Sequence, residues 1–162
     1  MRLFILSIVF CINMMSCTAQ ENPTKFSKEA LNDTLIGLDG ETLKFKDILK
    51  KYKGKTIVMD VWASWCRDCL EGMPKVKQLQ SDYDDVIYLF LSLDRGQDAW
   101  KRGINKYNVT GEHYYMLSGR KGPFGAFADL DWIPRYMVVD KKGKIQLFRA
   151  IEADDQRIKE FL

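Results

Sequence analysis

The sequence predicts an α/β fold with a central β-sheet of mixed strand direction, and three observations support this class. Near-continuous apolar runs at 56–62 and 86–93 are typical of buried parallel strands. Apolar side chains recur at helical spacing over 67–83 and 97–107, so that strands and helices alternate. A turn at 140–143 between two apolar segments predicts a terminal antiparallel hairpin, and the sheet is therefore not all parallel.

The elements around the first buried strand are predicted from turns and periodicity. An Asp-Gly turn at 39–40 joins two short segments and predicts an N-terminal β-hairpin over 31–45. A short helix is expected at 46–51. The helix at 67–83 has Pro74 in its middle, where the missing backbone donor predicts a kink.

The second half of the chain continues the alternation. In chain order we expect a helix at 97–107, a strand at 113–117, a loop around a short helix at 119–132, and hairpin strands at 135–139 and 144–149. Asp154 is expected to cap a closing helix whose inward side chains are Ile158, Phe161 and Leu162.

Length and composition fit one soluble domain rather than two. The chain has 162 residues, of which 46% are hydrophobic and 29% charged. The net charge of +3 is too small to indicate binding to nucleic acid or to a membrane surface. The polar segment 20–29 is expected to be a linker, and residues 30–162 are expected to form the domain.

Residues 1–19 predict a signal peptide for export. The apolar run LFILSIVFCINMM is short for a membrane span and suits the core of a secretory signal. Two cleavage sites are compatible with it. A Met-Met-Ser-Cys box resembles that of lipoproteins and would leave Cys17 lipidated, and the alternative is cleavage after Ala19. We favour the first, so we expect a periplasmic protein that contacts the membrane only through a lipid on Cys17.

Export leaves the mature chain with two cysteines, Cys66 and Cys69. Their spacing closes a loop too small to stabilise a fold of this size, which indicates a chemical role. Cys66 follows a strand and begins a helix, whose partial positive charge favours a thiolate. We therefore expect Cys66 to be the nucleophile and Cys69, one turn later, to attack the mixed disulfide that Cys66 forms.

Other uses of a cysteine pair fit the sequence less well. A zinc site needs two more ligands, and the candidates are His113 and scattered carboxylates. Covalent haem attachment needs a histidine directly after Cys69, where the chain has Leu70. We therefore predict thiol–disulfide exchange, with no metal and no cofactor other than a redox-active disulfide between the two cysteines.

Two motifs resemble those of the thioredoxin superfamily. VMDVWASWCRDC is similar to its active-site segment, and Trp132-Ile133-Pro134 before RYMVVDKKGKI is similar to its cis-proline loop and final hairpin. The resemblance covers residues 30–162. A helix and strand inserted near 97–117, before the cis-proline, together with the signal peptide, resemble the exported TlpA/ResA-like thiol–disulfide oxidoreductases.

The resemblance implies roles for several residues. Asp60 corresponds to an acid beneath the disulfide, whose burial should raise its pKa toward neutrality so that it can exchange a proton with Cys69. Ile133 and Pro134 should form a cis peptide beside which a substrate chain pairs, and Trp65 should belong to the docking surface. Trp62 is expected in the core. Phe124, Phe127 and Trp132 could form an apolar rim near the proline, and of these two alternatives we favour the core.

The sequence also departs from the family. Exported relatives often have Glu two residues before the helix proline, whereas this chain has Gly72, and Glu71 does not take over that role. Between the cysteines, Arg67 should favour the Cys66 thiolate and Asp68 should oppose it. Because the two charges act in opposite directions, they do not indicate whether the protein is a reductant or an oxidant.

The resemblance implies an enzyme that exchanges disulfides with protein substrates, more often as a reductase. Electrons would come from a membrane donor, and the role would be cytochrome c maturation or general redox homeostasis. One alternative is a thiol peroxidase, but Met59 and Ala63 stand where a P-x-x-x-T-x-x-C frame needs Pro and Thr. Another is a copper-binding lipoprotein, which would use the cysteine pair with His113.

Overall fold

A seven-stranded mixed sheet organises residues 22–162, the part of the chain that the computed structural model describes. The strands are β1 (Thr34–Gly37), β2 (Thr42–Lys44), β3 (Ile57–Trp62), β4 (Ile87–Ser92), β5 (Glu112–Met116), β6 (Arg135–Val139) and β7 (Ile145–Ala150). The helices are α1 (Lys28–Leu31), α2 (Phe45–Lys51), α3 (Arg67–Asp82), α4 (Gln97–Tyr107), α5 (Pro123–Phe127) and α6 (Gln156–Lys159). The predicted α/β class with a thioredoxin-like mixed sheet is confirmed.

Strand β3 lies inside the sheet, which runs β2-β1-β5-β4-β3-β6-β7. It pairs in parallel with β4 and antiparallel with β6, and every one of its residues is buried. Burial on both faces explains why the strand is apolar almost throughout. Helix α3 begins five residues after β3 ends, so the carboxyl end of this buried strand leads directly into the cysteine pair.

The predicted insertion before the cis-proline forms α4 and β5. Helix α4 has the bounds that its periodicity predicted, Gln97–Tyr107. Strand β5 pairs in parallel with β4 and antiparallel with β1. The insertion therefore joins the N-terminal hairpin β1–β2 to the central strands, and without β5 the hairpin would have no partner in the sheet.

The predicted linker at 20–29 and the domain start at residue 30 need correction for the described residues. Phe26 is only 9% exposed, and the centres of the Phe26 and Phe45 rings are 5.0 Å apart. The Thr24 carbonyl accepts a hydrogen bond of 2.9 Å from the Ile145 backbone N–H. The segment from Thr24 onward therefore packs on the domain, because the Phe26 ring, although it lies in a polar stretch of sequence, is buried against apolar side chains.

Two details of the closing helix also differ from the prediction. Asp155, not Asp154, caps α6, and its side chain accepts from the Arg157 N–H at 3.0 Å. Asp154 instead forms an ion pair with Lys75 at 3.1 Å. Ile158 is fully buried as predicted. Phe161 is 39% exposed, because α6 ends at Lys159 and its helical spacing no longer directs Phe161 toward the core.

The predicted signal peptide and the lipidation site Cys17 lie outside the described residues. Among residues 22–162, no helix is long and apolar enough to cross a membrane.

Helix α3 continues through Pro74 over its whole length.

Candidate active site

Cys66 and Cys69 are joined as a disulfide at the N-terminus of α3. Cys66 is the N-cap residue, and its Sγ accepts a hydrogen bond of 3.1 Å from the Cys69 backbone N–H. Cys69 is fully buried and Cys66 is 6% exposed. The Cys69 N–H and the helix dipole both stabilise negative charge on the Cys66 sulfur when the pair is reduced. This favours Cys66 as the attacking thiolate.

The cis-proline loop lies directly against the reactive sulfur. The Ile133–Pro134 peptide bond is cis, as predicted. The Ile133 carbonyl oxygen lies 3.5 Å from Cys66 Sγ, although these residues are 67 positions apart in sequence. The structure thus brings together Cys66, Ile133 and Pro134, three of the residues selected from sequence.

Two exposed tryptophans flank Cys66. Trp65 is 53% exposed and Trp132 is 60% exposed, and both line a cavity of about 300 Å³ that also includes Cys66, Arg67, Asp68, Arg120 and Ile133. The position of Trp65 agrees with a docking surface. For Trp132 the favoured core position is wrong and the alternative of an apolar rim is correct, because its Nε1 donates to Asp68 Oδ2 at 3.1 Å and holds the ring at the edge of this cavity.

The residues between the cysteines already have partners. Arg67 Nε donates to Glu71 Oε1 at 2.7 Å, and the Arg67 side chain is 86% exposed. Asp68 accepts from Trp132, so its carboxylate is held on the side of the cis-proline loop. The opposed effects of Arg67 and Asp68 on the Cys66 thiolate stay predictions.

Asp60 is buried in the centre of β3, and the residue is 3% exposed. Neither of its oxygens makes a hydrogen bond of normal geometry to the protein. Burial raises the pKa of Asp60 to about 7, and the nearby Tyr136 hydroxyl acts in the opposite direction but more weakly. A carboxyl group with a pKa close to neutrality can both accept and return a proton, as the role predicted for Asp60 requires.

Asp60 faces the helix that carries the cysteines. It is the register partner of Tyr136 in the β3–β6 pair, so the two side chains lie on one face of the sheet. A Cβ atom at Gly72 of α3 would lie 3.7 Å from the Tyr136 hydroxyl, which identifies that face as the one covered by α3. Cys69 lies one turn before Gly72, on the same side of the helix.

Sequence reasoning missed Asp94, which holds the loop between β3 and α3. Asp94 is 5% exposed, and its carboxylate accepts from the Ser64 N–H at 3.1 Å and from the Ser64 hydroxyl at 2.6 Å. The Ser92 hydroxyl donates to it at 2.9 Å. The sequence did contain a signal for this role of Asp94. Because β3 and β4 are neighbouring parallel strands, an acid at the end of one lies beside the loop that follows the other.

Arg135, the residue after the cis-proline, was also missed. It is fully buried, and its guanidinium donates to the Ala128 carbonyl and to the Asp131 carboxylate. Arg149 donates to the other Asp131 oxygen at 2.6 Å. The loop that carries Trp132 is thereby fixed from beneath. The sequence has no signal for this contact, since arginine is rarely buried.

His113 does not lie with the cysteines. It belongs to β5, two strands from β3, where its ring stacks on Phe90 and its Nε2 lies 2.9 Å from the Val109 carbonyl oxygen. Burial lowers the pKa of His113, so the ring is neutral near pH 7. Within residues 22–162, no group of three or more His, Cys, Asp or Glu side chains is arranged to hold a metal ion.

The fold and the site define a class. A Cys-x-x-Cys disulfide at a helix N-terminus, a cis-proline against the first sulfur and a buried acid beneath the helix are together the features of a thioredoxin-fold redox protein. Residues 54–145 match the Thioredoxin-like family, and the chain belongs to that family.

Relatives agree with this class. The chain is 28% identical over 123 residues to the thioredoxin-like protein YneN of Bacillus subtilis, covering 74% of this chain and 68% of the relative. It is 28% identical over 131 residues to the thiol-disulfide oxidoreductase ResA of Bacillus anthracis, covering 78% of this chain and 70% of the relative. A solution structure of a candidate thiol-disulfide oxidoreductase from Bacteroides vulgatus superposes with a TM-score of 0.67 at 28% identity, covering 88% and 89% of the two chains.

Proposed function

We propose that the protein is an exported thiol–disulfide oxidoreductase that reduces disulfide bonds in other proteins. The observation that carries the proposal is the position of Cys66, whose sulfur caps α3 and lies 3.5 Å from the cis-proline loop. Disulfide exchange as the reaction class is supported by the relatives, which carry the name thiol-disulfide oxidoreductase. Export, the direction of electron flow and the individual residue roles are proposals.

The reaction has two steps. The Cys66 thiolate attacks a substrate disulfide, a bond forms between Cys66 and one substrate sulfur, and the other substrate sulfur leaves as a thiolate. Cys69 then gives its proton to the Asp60 carboxylate and attacks Cys66. The Cys66–Cys69 disulfide forms, the bond to the substrate breaks, and the substrate leaves with the electron pair.

The substrate is expected to be a protein with an extended segment around its disulfide. Such a segment would lie between Trp65 and Trp132 and would pair with the backbone at Ile133 and Pro134. The two indole rings are more than half exposed and supply the apolar contact area. The Cys66–Cys69 pair is itself the redox centre, so the proposal needs no further cofactor.

Reduction of successive substrates requires a source of electrons outside the chain. After each turnover the Cys66–Cys69 disulfide must be reduced again, and we propose that a membrane donor does this. The physiological setting would be cytochrome c maturation or general redox homeostasis.

Equilibration of the Cys66–Cys69 pair in dithiothreitol and glutathione buffers, followed by alkylation of free thiols, tests the direction. A reduction potential near −270 mV, about that of thioredoxin, supports a reductase. A potential of about −120 to −180 mV would contradict the reductase and indicate an oxidase or isomerase instead.

Substrate exchange is tested by trapping. Cys69→Ser keeps the nucleophile and removes the resolving thiol, so mixed disulfides with protein substrates should accumulate. The matched variant Cys66→Ser keeps Cys69, which is fully buried, and should trap none. Equal trapping by the two variants would contradict the assignment of Cys66 as the nucleophile.

Export and anchoring are tested in a bacterial host by fractionation and by labelling with a radioactive fatty acid. The wild type should label and should sediment with membranes. Cys17→Ala should lose both properties while Cys11→Ala retains them. If Cys17→Ala sediments and labels like the wild type, the proposed lipid anchor is wrong.

A further inference from the structure

Tyr136 supplies the polar group that faces Asp60 within the sheet. Tyr136 is 1% exposed, and its register position places it directly opposite Asp60. On the other side, the register partner of Asp60 in β4 is Phe90, which offers no polar atom. The Asp60 oxygens make no hydrogen bond of normal geometry, and the nearby Tyr136 hydroxyl is the group that acts on Asp60 in favour of its carboxylate.

Gly72 leaves the Tyr136 hydroxyl uncovered on the helix side. A Cβ atom at Gly72 would lie 3.7 Å from this hydroxyl and, beyond the adjacent backbone of its own helix, would meet no other group within 4 Å. Any side chain at this position would therefore cover the hydroxyl, and glycine does not. Cys69 lies one helical turn earlier, so the reacting thiol, Asp60 and Tyr136 share the layer between α3 and the sheet.

A surface cavity adjoins this position. It has a volume of about 410 Å³ and is lined by Gly72, Lys75, Pro134 and Glu152 among others. Lys75 pairs with Glu152 at 2.7 Å, so the cavity wall is charged and holds water readily. Gly72 lines this cavity, and a Cβ atom there would lie 3.7 Å from the Tyr136 hydroxyl, so the hydroxyl lies next to the cavity wall.

We propose that Tyr136 is a positioning residue for the resolving step, with its hydroxyl stabilising the Asp60 carboxylate and passing protons between Asp60 and water in the Gly72 cavity. The inference rests on the proposed exchange function. Before Cys69 displaces the substrate, its proton moves to Asp60, and Asp60 passes that proton to the Tyr136 oxygen. The original hydroxyl proton moves to cavity water, so Tyr136 stays neutral and Asp60 is again a carboxylate.

The test separates the two sulfur reactions in one assay. The reduced full chain, purified in detergent, is mixed with one equivalent of Ellman's reagent. Attack by Cys66 releases the first thionitrobenzoate, and attack by Cys69 on the mixed disulfide releases the second. The second phase is followed against pH. Its midpoint reports Asp60, on which burial and the Tyr136 hydroxyl act. The other titratable groups around the Asp60–Tyr136 pair are Cys69 and Lys75 of α3, and Glu152 and Asp154 after β7, whose charges act on Tyr136.

Tyr136→Phe keeps the ring and removes the hydroxyl. The first phase should be unchanged, and the midpoint of the second phase should rise by about one pH unit, because the group that favours the Asp60 carboxylate is gone. Below the midpoint, the second phase should slow by about tenfold, since about tenfold less carboxylate is present. Gly72→Ala fits without a clash and covers the hydroxyl, so it should slow the second phase and leave the midpoint unchanged.

Two results would overturn the proposal. If Tyr136→Phe slows both phases alike or leaves the midpoint where it was, Tyr136 only packs the core. If Gly72→Ala matches the wild type, the Gly72 cavity is not the route of the proton. Failure of the proposed function looks different, because the wild type itself would then release one thionitrobenzoate and never the second.

Discussion

At the scale of single residues, Asp60 makes the stability of the protein depend on pH. The folded protein keeps the Asp60 proton up to about pH 7, whereas the unfolded chain releases it near the ordinary value of 3.8. The folded state therefore binds the extra proton between these values, and its stability falls as the pH rises through this range. A difference of about three pKa units corresponds to about 4 kcal/mol.

Asp60→Asn should remove this dependence. We expect the free energy of unfolding of the wild type, measured with urea on the oxidised protein, to fall by about 4 kcal/mol more between pH 4 and 8 than that of the variant. Comparing the two proteins cancels the contributions of carboxylates whose pKa is lowered, such as Asp131 and Asp140. Parallel pH curves for the two proteins would show that Asp60 is not held protonated.

At the scale of elements, the loop between β3 and α3 depends on an acid from the neighbouring strand. Asp94→Asn keeps the shape but replaces an oxygen that accepts from Ser64 or Ser92 by an amino group that cannot accept. We expect the free energy of unfolding to fall by about 2 kcal/mol. The first phase with Ellman's reagent should also slow, because Ser64 lies two residues before Cys66.

The control for this prediction is another aspartate. Asp85 is exposed in the turn before β4, and Asp85→Asn should change the free energy of unfolding by no more than about 0.5 kcal/mol. Equal effects of the two substitutions would mean that Asp94 does not hold the loop.

The cis-proline loop depends on the first residue of β6 in the same way. Arg135→Lys keeps the charge but loses the planar fork that reaches both the Ala128 carbonyl and the Asp131 carboxylate. The free energy of unfolding should fall by about 3 kcal/mol, because the Ala128 carbonyl and a buried ammonium lose their partners. Amide hydrogen exchange in residues 128–132 should accelerate.

Arg149 offers the matched substitution, since it binds the same aspartate from the surface. Its side chain is 41% exposed, so Arg149→Lys should cost no more than about 1 kcal/mol. A larger effect at Arg149 than at Arg135 would contradict the proposed support from beneath the loop.

At the scale of the whole molecule, the sequence predicts what depends on local periodicity and on short motifs. The bounds of α4 and the buried run of β3 follow from spacing alone, and the position of Cys66 follows from a strand that leads into a helix. Contacts between distant segments were not predictable in this way. The burial of Arg135 and the exposure of Trp132 depend on partners in other parts of the chain, and no local pattern encodes them.

The N-terminal segment is the largest such case, because a composition typical of a tether is found packed on the domain. The Thr24 carbonyl binds β7 at one edge of the sheet, while Phe26 contacts Phe45 of α2, which follows β2 at the opposite edge. Phe26 also contacts Phe127 of α5, with 5.4 Å between ring centres. The segment from Thr24 to Phe26 therefore contacts β7, α2 and α5.

Phe26→Ala should reveal how much these contacts contribute. Removing a ring that is 9% exposed should lower the free energy of unfolding by about 3 kcal/mol, measured by urea titration of the oxidised protein. Phe161→Ala is the matched control, because that ring is 39% exposed at the other end of the chain and its loss should cost no more than about 1 kcal/mol. If the two variants lose the same amount, the segment before α1 is a tether, as its composition predicts, and the domain begins near residue 30.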